Sequence, residues 1–364
     1  MTTPLQRQLR KARDEDLVYE REFDGLFIYV YTQRAVRERI WNKITRAARG
    51  LILDGDGNIV ARPFDKFFNL FECHETEPKN LPKEPYCIWE KVDGSLGIIF
   101  WNPIRECWDI STKGSLHSEQ ADFARETLLP RYADALNRSA SKDCTILTEI
   151  IYPSNQIVVN YGDTCELRLL AMRHIHTGNY EHAKRVLGVI AKSFGMHPAD
   201  GYGITLPTHH PEQFADLRME KNMEGWVIQF DGGFRVKVKN PWYLAIHRAL
   251  DSKSIKRIIE LVEGGEWRAF WDVLPKELQK DFDDMYAEIR TAMWDVENRV
   301  QGSWSALSDA NMVKVGRCGR HGRKDFAMWV TANIEEELRP IMYSILDGHD
   351  YRHHVFSIIK KKFK

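Results

Sequence analysis

The string Lys91-Val92-Asp93-Gly94-Ser95 places a lysine where a β-rich apolar run, residues 86–91, gives way to a tight Asp-Gly turn. A turn at a strand end holds a side chain rigidly while leaving its amine facing a pocket, which suits a nucleophile. The amine attacks only when unprotonated. A free lysine titrates near ~10.4, so neighbouring cations or a desolvated pocket are needed to lower that value. Lys237 and Lys239 could supply the cations: two apart on one strand, they point to the same face, where both can meet phosphate oxygens. Read blandly, they are solvated lysines guarding an edge strand. Glu149 lies inside the apolar run 146–152, where a carboxylate needs a purpose or a partner, and Glu224 precedes the apolar run 225–230.

These residues need sheets to hold them. Short runs rich in β-branched and aromatic residues predict strands at 26–31, 51–62 (broken by the turn Asp54-Gly55-Asp56-Gly57), 86–91, 96–101, 145–152, 157–161, 167–173, 225–230 and 234–239. Their close spacing favours antiparallel pairing. Apolar residues at helical spacing predict helices over 118–136 and 180–194, the latter through Ala183, Leu187, Ile190 and Phe194. After about Leu244 the strand pattern stops, and 255–262, 278–300, 325–338 and 341–363 read as helices, with 315–324 a loop dense in Gly, Arg and Lys. The expected architecture is α+β: antiparallel sheets flanked by helices over residues 1–244, then an all-α C-terminal domain over 245–364.

Further short elements accompany the Lys91 string: Arg49-Gly50, Lys66-Phe67-Phe68-Asn69-Leu70, Lys113-Gly114-Ser115, Glu149 followed by Ile157-Val158-Val159, Glu224-Gly225, and Lys237-Val238-Lys239 before Trp242-Tyr243. Taken together the set resembles the covalent nucleotidyltransferases, specifically the bacteriophage RNA ligase 1 family, the T-even phage type of tRNA-repair ligase. The likeness spans nearly the whole chain but weakens past Tyr243 to stretches such as Arg323-Lys324-Asp325-Phe326-Ala327-Met328. It implies that Lys91 attacks the α-phosphorus of ATP and keeps AMP as a phosphoramidate. AMP would then pass to an RNA 5′-phosphate, and a 3′-hydroxyl would displace it. It further implies that Lys237 and Lys239 meet the α-phosphate, that Glu224 holds Mg²⁺ (Mn²⁺ an alternative), and that Glu149 takes the ATP ribose. Arg49 and Lys66 would be phosphate contacts, with Lys113, Tyr31 and Phe68 close to the nucleotide. Asp93 would orient the lysine turn or a metal-bound water; an Asx-turn that shapes the loop is the plainer reading. Singly, each cation could be a surface residue and each aromatic a core residue. RNA ends bearing 5′-phosphate and 3′-hydroxyl, as in cleaved tRNA, are the implied partner of a monomer.

The basic stretch Arg317, Arg320, His321, Arg323 and Lys324 could hold RNA phosphates, as could the tail 360–364; a solvated charge run is the alternative. Net charge is zero, so any RNA site must be a local patch. Six cysteines without a C-x-x-C pair predict reduced thiols, and Cys318-x-x-His321, His209-His210 and His353-His354 are too isolated to predict zinc. Gly201-Tyr202-Gly203 matches neither a P-loop nor a dinucleotide fingerprint, which argues against a fused kinase. No membrane-spanning run is present, and the polar, basic first residues lack a secretory pattern, so the expected location is the cytoplasm, a host's if the gene is a phage's. A DNA ligase or capping enzyme would share the lysine string but continue into a β-barrel after Lys239. A non-catalytic RNA-binding module of the same shape is the alternative from a different class.

Overall fold

The structure, a computed structural model, describes residues 3–181, 184–205, 220, 222–251, 254–274 and 276–363. The chain divides into two compact units, Met1–Leu244 and Ala245–Lys364. In the first, the strands in chain order are β1 (Val18–Phe23), β2 (Leu26–Tyr31), β3 (Arg49–Leu53), β4 (Ile59–Ala61), β5 (Phe68–Asn69), β6 (Tyr86–Glu90), β7 (Ser95–Asn102), β8 (Cys107–Ser111), β9 (Cys144–Ile151), β10 (Glu166–His174), β11 (Tyr180–Glu181), β12 (Gly201–Thr205), β13 (Gly225–Phe230) and β14 (Arg235–Lys239). They form three sheets, ordered β1-β2-β3-β4, β11-β10-β9-β7-β8 and β12-β6-β13-β14-β5. Pairing is antiparallel except between β14 and the two-residue β5, which run parallel with Lys237 opposite Asn69. The α+β architecture read from the sequence is the one observed.

Burial on both faces explains why β9 reads as a continuous apolar run: all eight of its residues are buried, Glu149 among them. β10 alternates buried and half-buried positions instead. The turn at Asp54–Asn58 forms as expected, Asp54 Oδ1 accepting the Asn58 amide at 2.8 Å. Two other expectations fail in this unit. Residues 157–161 make no strand, because the Val158 and Val159 amides donate to Asp93 rather than to a neighbouring strand. Residues 118–136 are not one helix but Glu119–Phe123 widening into a π-helical turn at Ala124–Leu128, a tight 3-10 turn at Leu129–Arg131 and the helix Ala133–Ser139, with Pro130 in the break. The helix expected over 180–194 is Lys184–Phe194, preceded by β11; Ala183 lies outside the described residues, as do His209 and His210. The sequence reading also passed over the helix Pro4–Asp14, capped by Thr3 with proline at its first position.

The second unit is helical, as expected. Its 34-residue helix Lys276–Asp309 buries Phe282, Ile289, Val296, Val300 and Leu307 along one stripe. Ile255–Glu263, Arg339–Asp347 and Arg352–Lys362 pack against that helix. The single helix expected over 341–363 is broken at Gly348, which takes the left-handed φ of +73° that ends a helix. Nor is 315–324 a loop: Met312–Gly316 and Gly319–Asn333 meet at a tight corner there. Among the described residues no helix is long and apolar enough to cross a membrane.

Candidate functional site

Lys91 follows the last residue of β6, and its amide donates to the Gly225 carbonyl at 2.8 Å, so the start of β13 pins the lysine's backbone. Its side chain is held by the residue next door: Lys91 Nζ lies 2.5 Å from Glu224 Oε2, while Lys239 Nζ lies 3.0 Å from Glu224 Oε1. Glu224 is 4% exposed, so one buried carboxylate balances two ammonium groups. This geometry needs glycine at 225. Its φ is +140°, and a Cβ there would come within 2.1 Å of the Val238 carbonyl oxygen. Gly94 answers the same demand on the other side of the turn, since a Cβ would sit 2.7 Å from the Ile150 carbonyl oxygen and 3.1 Å from Glu149 Cγ.

Asp93 is 4% exposed and fully engaged within the fold. Its Oδ2 accepts the Val158 and Val159 amides, each at 2.9 Å; Oδ1 accepts the Tyr243 hydroxyl at 2.8 Å; and its own amide donates to the Tyr161 hydroxyl at 2.9 Å. The carboxylate therefore ties three segments around the lysine turn, well beyond an Asx-turn that shapes only its own loop. Burial, with the Glu224 and Asp93 charges, holds the Tyr243 phenol above its ordinary range, so it remains a donor.

Above Lys91 opens a cavity of about 300 Å³ whose walls include Arg49, Lys91, Gly94, Glu149, Lys237 and Lys239. Pairing of Trp89 with Val227, of Val227 with Lys237, and of Gln229 with Arg235 sets these residues on one face of β6, β13 and β14, and all of them line the cavity. Lys237 is pushed down to about 7 by burial first, then by Lys66, Lys91 and Arg49. Glu149 is pushed up to about 8 by burial, against the pull of Lys91, so near neutrality it is mostly the protonated acid and can donate a hydrogen bond. The wall carries Arg49, Lys91, Arg235, Lys237 and Lys239 against the carboxyls of Glu90 and Glu149, so basic groups outnumber acidic ones and the cavity suits polyanions such as a triphosphate.

Tyr31, Lys66, Phe68 and Lys113 gather beside the cavity rather than on its wall. Trp41 sits between Tyr31 and Phe68, edge-on to both at 5.1 and 5.6 Å. Lys66 Nζ lies over the Trp41 and Phe68 rings, and Lys113 Nζ over Tyr31. Lys66 lies just before β5, the strand paired with β14, and its charge acts on Lys237. The sequence reading gave no role to Trp41 or to Phe67, whose ring lies under both Arg49 and Lys237. It also missed Arg235, which the two-residue period of β14 could have found, because it precedes Lys237 and Lys239 on the same face. Tyr161 and Tyr243 carried no local signal for their part in holding the turn.

In the helical unit, Arg317, Arg320, Arg323 and Lys324 are all exposed around the corner at Cys318, and Arg323 also pairs through both terminal nitrogens with Asp347 at 2.5 Å. Cys318 donates its thiol to the Lys314 carbonyl. Among the described residues no group of three or more His, Cys, Asp or Glu gathers as a metal cage. Mg²⁺ bound with a nucleotide needs only one or two carboxylates, the phosphates supplying further oxygens, and Glu224, in contact with the cavity-lining Lys91 and Lys239, has the chemistry for that requirement.

The sequence profile of the RNA ligase family matches residues 47–243, more than half the chain and the whole stretch that builds this cavity. The chain belongs to the RNA ligase family. A Thermovibrio ammonificans protein, provisionally named as an RNA ligase, is 30% identical over 216 residues, covering 57% of this chain and 54% of that one. The RNA ligase of Rhodothermus phage RM378 is 20% identical over 363 residues, covering 82% of this chain and 80% of that one. An archaeal ATP-dependent RNA ligase of known structure superimposes with a TM-score of 0.53 at 14% identity over 79% of each chain, a likeness of fold. The family expected from the motifs is thus the family found, although the match to the Thermovibrio protein spans only about half of that protein's length.

Proposed function

We propose that this RNA ligase family member is an ATP-dependent enzyme that joins an RNA 5′-phosphate to a 3′-hydroxyl through AMP carried on Lys91. The observation that carries the reading is one juxtaposition: the Lys91 amine, salt-bridged to Glu224, at a cavity whose walls also hold Arg49, Lys237, Lys239 and Glu149. In the first step the Lys91 nitrogen bonds to the α-phosphorus of ATP and the bond to pyrophosphate breaks. Release of the Lys91 proton requires its contact with Glu224 to loosen. Lys239 remains to balance that carboxylate, so the buried charge is never left bare. Lys237 and Arg49 neutralise developing phosphate charge, and Lys66 and Lys113 extend the positive field for the departing pyrophosphate. Glu149 reaches the ribose. Glu224 is the group that would hold Mg²⁺, or Mn²⁺ in its place, which when bound would neutralise phosphate charge. The later steps, transfer of AMP to the RNA 5′-phosphate and its displacement by the 3′-hydroxyl, are phosphoryl transfers aided by alignment and charge neutralisation.

The working substrate in this reading is cleaved tRNA, met in the cytoplasm by a monomer, with the helical unit providing specificity. Arg317, Arg320, Arg323 and Lys324 are its exposed cations for RNA phosphates, Arg323 also pairing with Asp347. Helices rather than a β-barrel follow Lys239, which favours this reading over DNA-ligase or capping chemistry.

The test is to incubate the protein with α-labelled ATP and Mg²⁺, with labelled GTP in parallel, and resolve it on a denaturing gel. Label from ATP that pyrophosphate removes and Lys91→Ala prevents is expected. Label from GTP instead would indicate capping chemistry, and no label from either nucleotide would leave a non-catalytic RNA-binding module.

A further inference from the structure

Buried polar groups in folded proteins almost always have partners, so unpartnered ones clustered at a single place ask for a ligand. Among the described residues, side-chain donors of Arg49, Trp89, Gln229 and Arg235 are buried without a partner, and all four residues line the cavity above Lys91. Arg49 belongs with the phosphate-binding cations. Trp89 is level with Lys237 across Val227, while Arg235 stands one strand period before Lys237 on β14 and Gln229 is directly across from it on β13, a step away from the Lys237 and Lys239 ammonium groups. Gln229 and Arg235 are 4% and 6% exposed. Arg235 stacks its guanidinium on Phe64 and Tyr180 and donates through Nη1 to the Gly233 carbonyl, a packing that fixes the fork in place while Nη2 stays unpartnered. Apolar surface from Phe64, Leu170 and Val227 surrounds these donors. Flat apolar walls with a few fixed donors describe a site for a heteroaromatic ring whose nitrogens accept hydrogen bonds.

We infer that Gln229 and Arg235 are the base-reading residues of the site, their free donors meeting ring-nitrogen acceptors of the ATP purine. The inference rests on the ATP reading given above. Gln229 carries an acceptor oxygen beside its donor nitrogen, the pairing by which an amide side chain grips an adenine edge. Without nucleotide the same donors are a liability, so their replacement by apolar groups of similar size should not weaken the empty protein.

The experiment compares wild type, Gln229→Leu and Arg235→Met in self-labelling against ATP concentration, in melting temperature without ligand, and in the thermal shift given by inorganic tripolyphosphate. Each variant is expected to raise the ATP concentration for half-maximal labelling by about 10- to 100-fold. Melting temperature should stay level or rise, and the tripolyphosphate response should be unchanged. With 1-deaza-, 3-deaza- and 7-deaza-ATP, wild type should discriminate against at least one, and Gln229→Leu or Arg235→Met should lose that discrimination. Unchanged ATP dependence in both variants, with normal wild-type labelling, would overturn the inference while leaving the lysyl-AMP reading intact. Weaker labelling accompanied by a lower melting temperature and a lost tripolyphosphate response would also overturn it, as the mark of a structural role. Failure of wild type to label at all would remove both.

Discussion

Asp93→Ala and Asp93→Asn separate two roles that the Lys91 turn permits. If Asp93 serves the turn, alanine leaves the Val158 and Val159 amides and the Tyr243 hydroxyl without their acceptor. All three residues are under 10% exposed, and each unsatisfied buried donor costs about 1–3 kcal/mol. Admitting water to one of them, Asp93→Ala should destabilise the protein by about 4 kcal/mol. Asparagine can present its oxygen to the two amides and its nitrogen to the tyrosine oxygen, which then accepts. The loss is the difference between charged and neutral hydrogen bonds, about 1–2 kcal/mol. Urea denaturation followed by tryptophan fluorescence measures both variants, and self-labelling with ATP is measured in parallel. Labelling should follow the geometry, partly retained in Asn and lost in Ala. Two variants as stable as wild type but equally unable to label would refute this account and assign the carboxylate to the substrate or its metal.

Glu149→Gln should stabilise the empty protein while impairing labelling. The folded carboxyl is held up at about 8, so the acid form's contribution is complete below its ordinary 4.5 and is lost as pH rises through about 8. The gain from glutamine should therefore grow across that window, reaching up to about 3 kcal/mol at pH 7 in denaturation experiments. Lys237 has the opposite sign. Held down at about 7, it weakens the fold while charged, and stability should rise with pH from about 7 toward 10.5. Because phosphate prefers the charged lysine, pyrophosphate affinity should fall above pH 7 in calorimetry, and Lys237→Met should abolish that dependence. Replacing Arg317, Arg320 and Lys324 together by alanine should weaken RNA joining and reduce its salt sensitivity while sparing self-labelling. Joining unchanged at raised salt would place the RNA elsewhere.

The sequence by itself determined the family, the α+β class, the helical second half and the cationic face of β14. Each of these is written in local pattern: a lysine ahead of an Asp-Gly turn, alternation along a strand, helical spacing of apolar residues. It misread the segments whose backbone is claimed from afar. Residues 157–161 have the composition of a strand, but Asp93, distant in sequence, takes their amides. Residues 315–324 have the composition of a loop, but Gly316 and Gly322 allow two helices to close together, where a Cβ at either would meet Phe326 or the Val315 carbonyl. Only the tertiary structure decided that Glu224 is shared between Lys91 and Lys239, that burial pushes the Glu149 carboxyl up, and that Trp89, Gln229 and Arg235 offer their donors to the same cavity. Those properties depend on burial and on charges many residues away, and the free energy of a buried charge or an unpartnered donor is set by what folding brings around it.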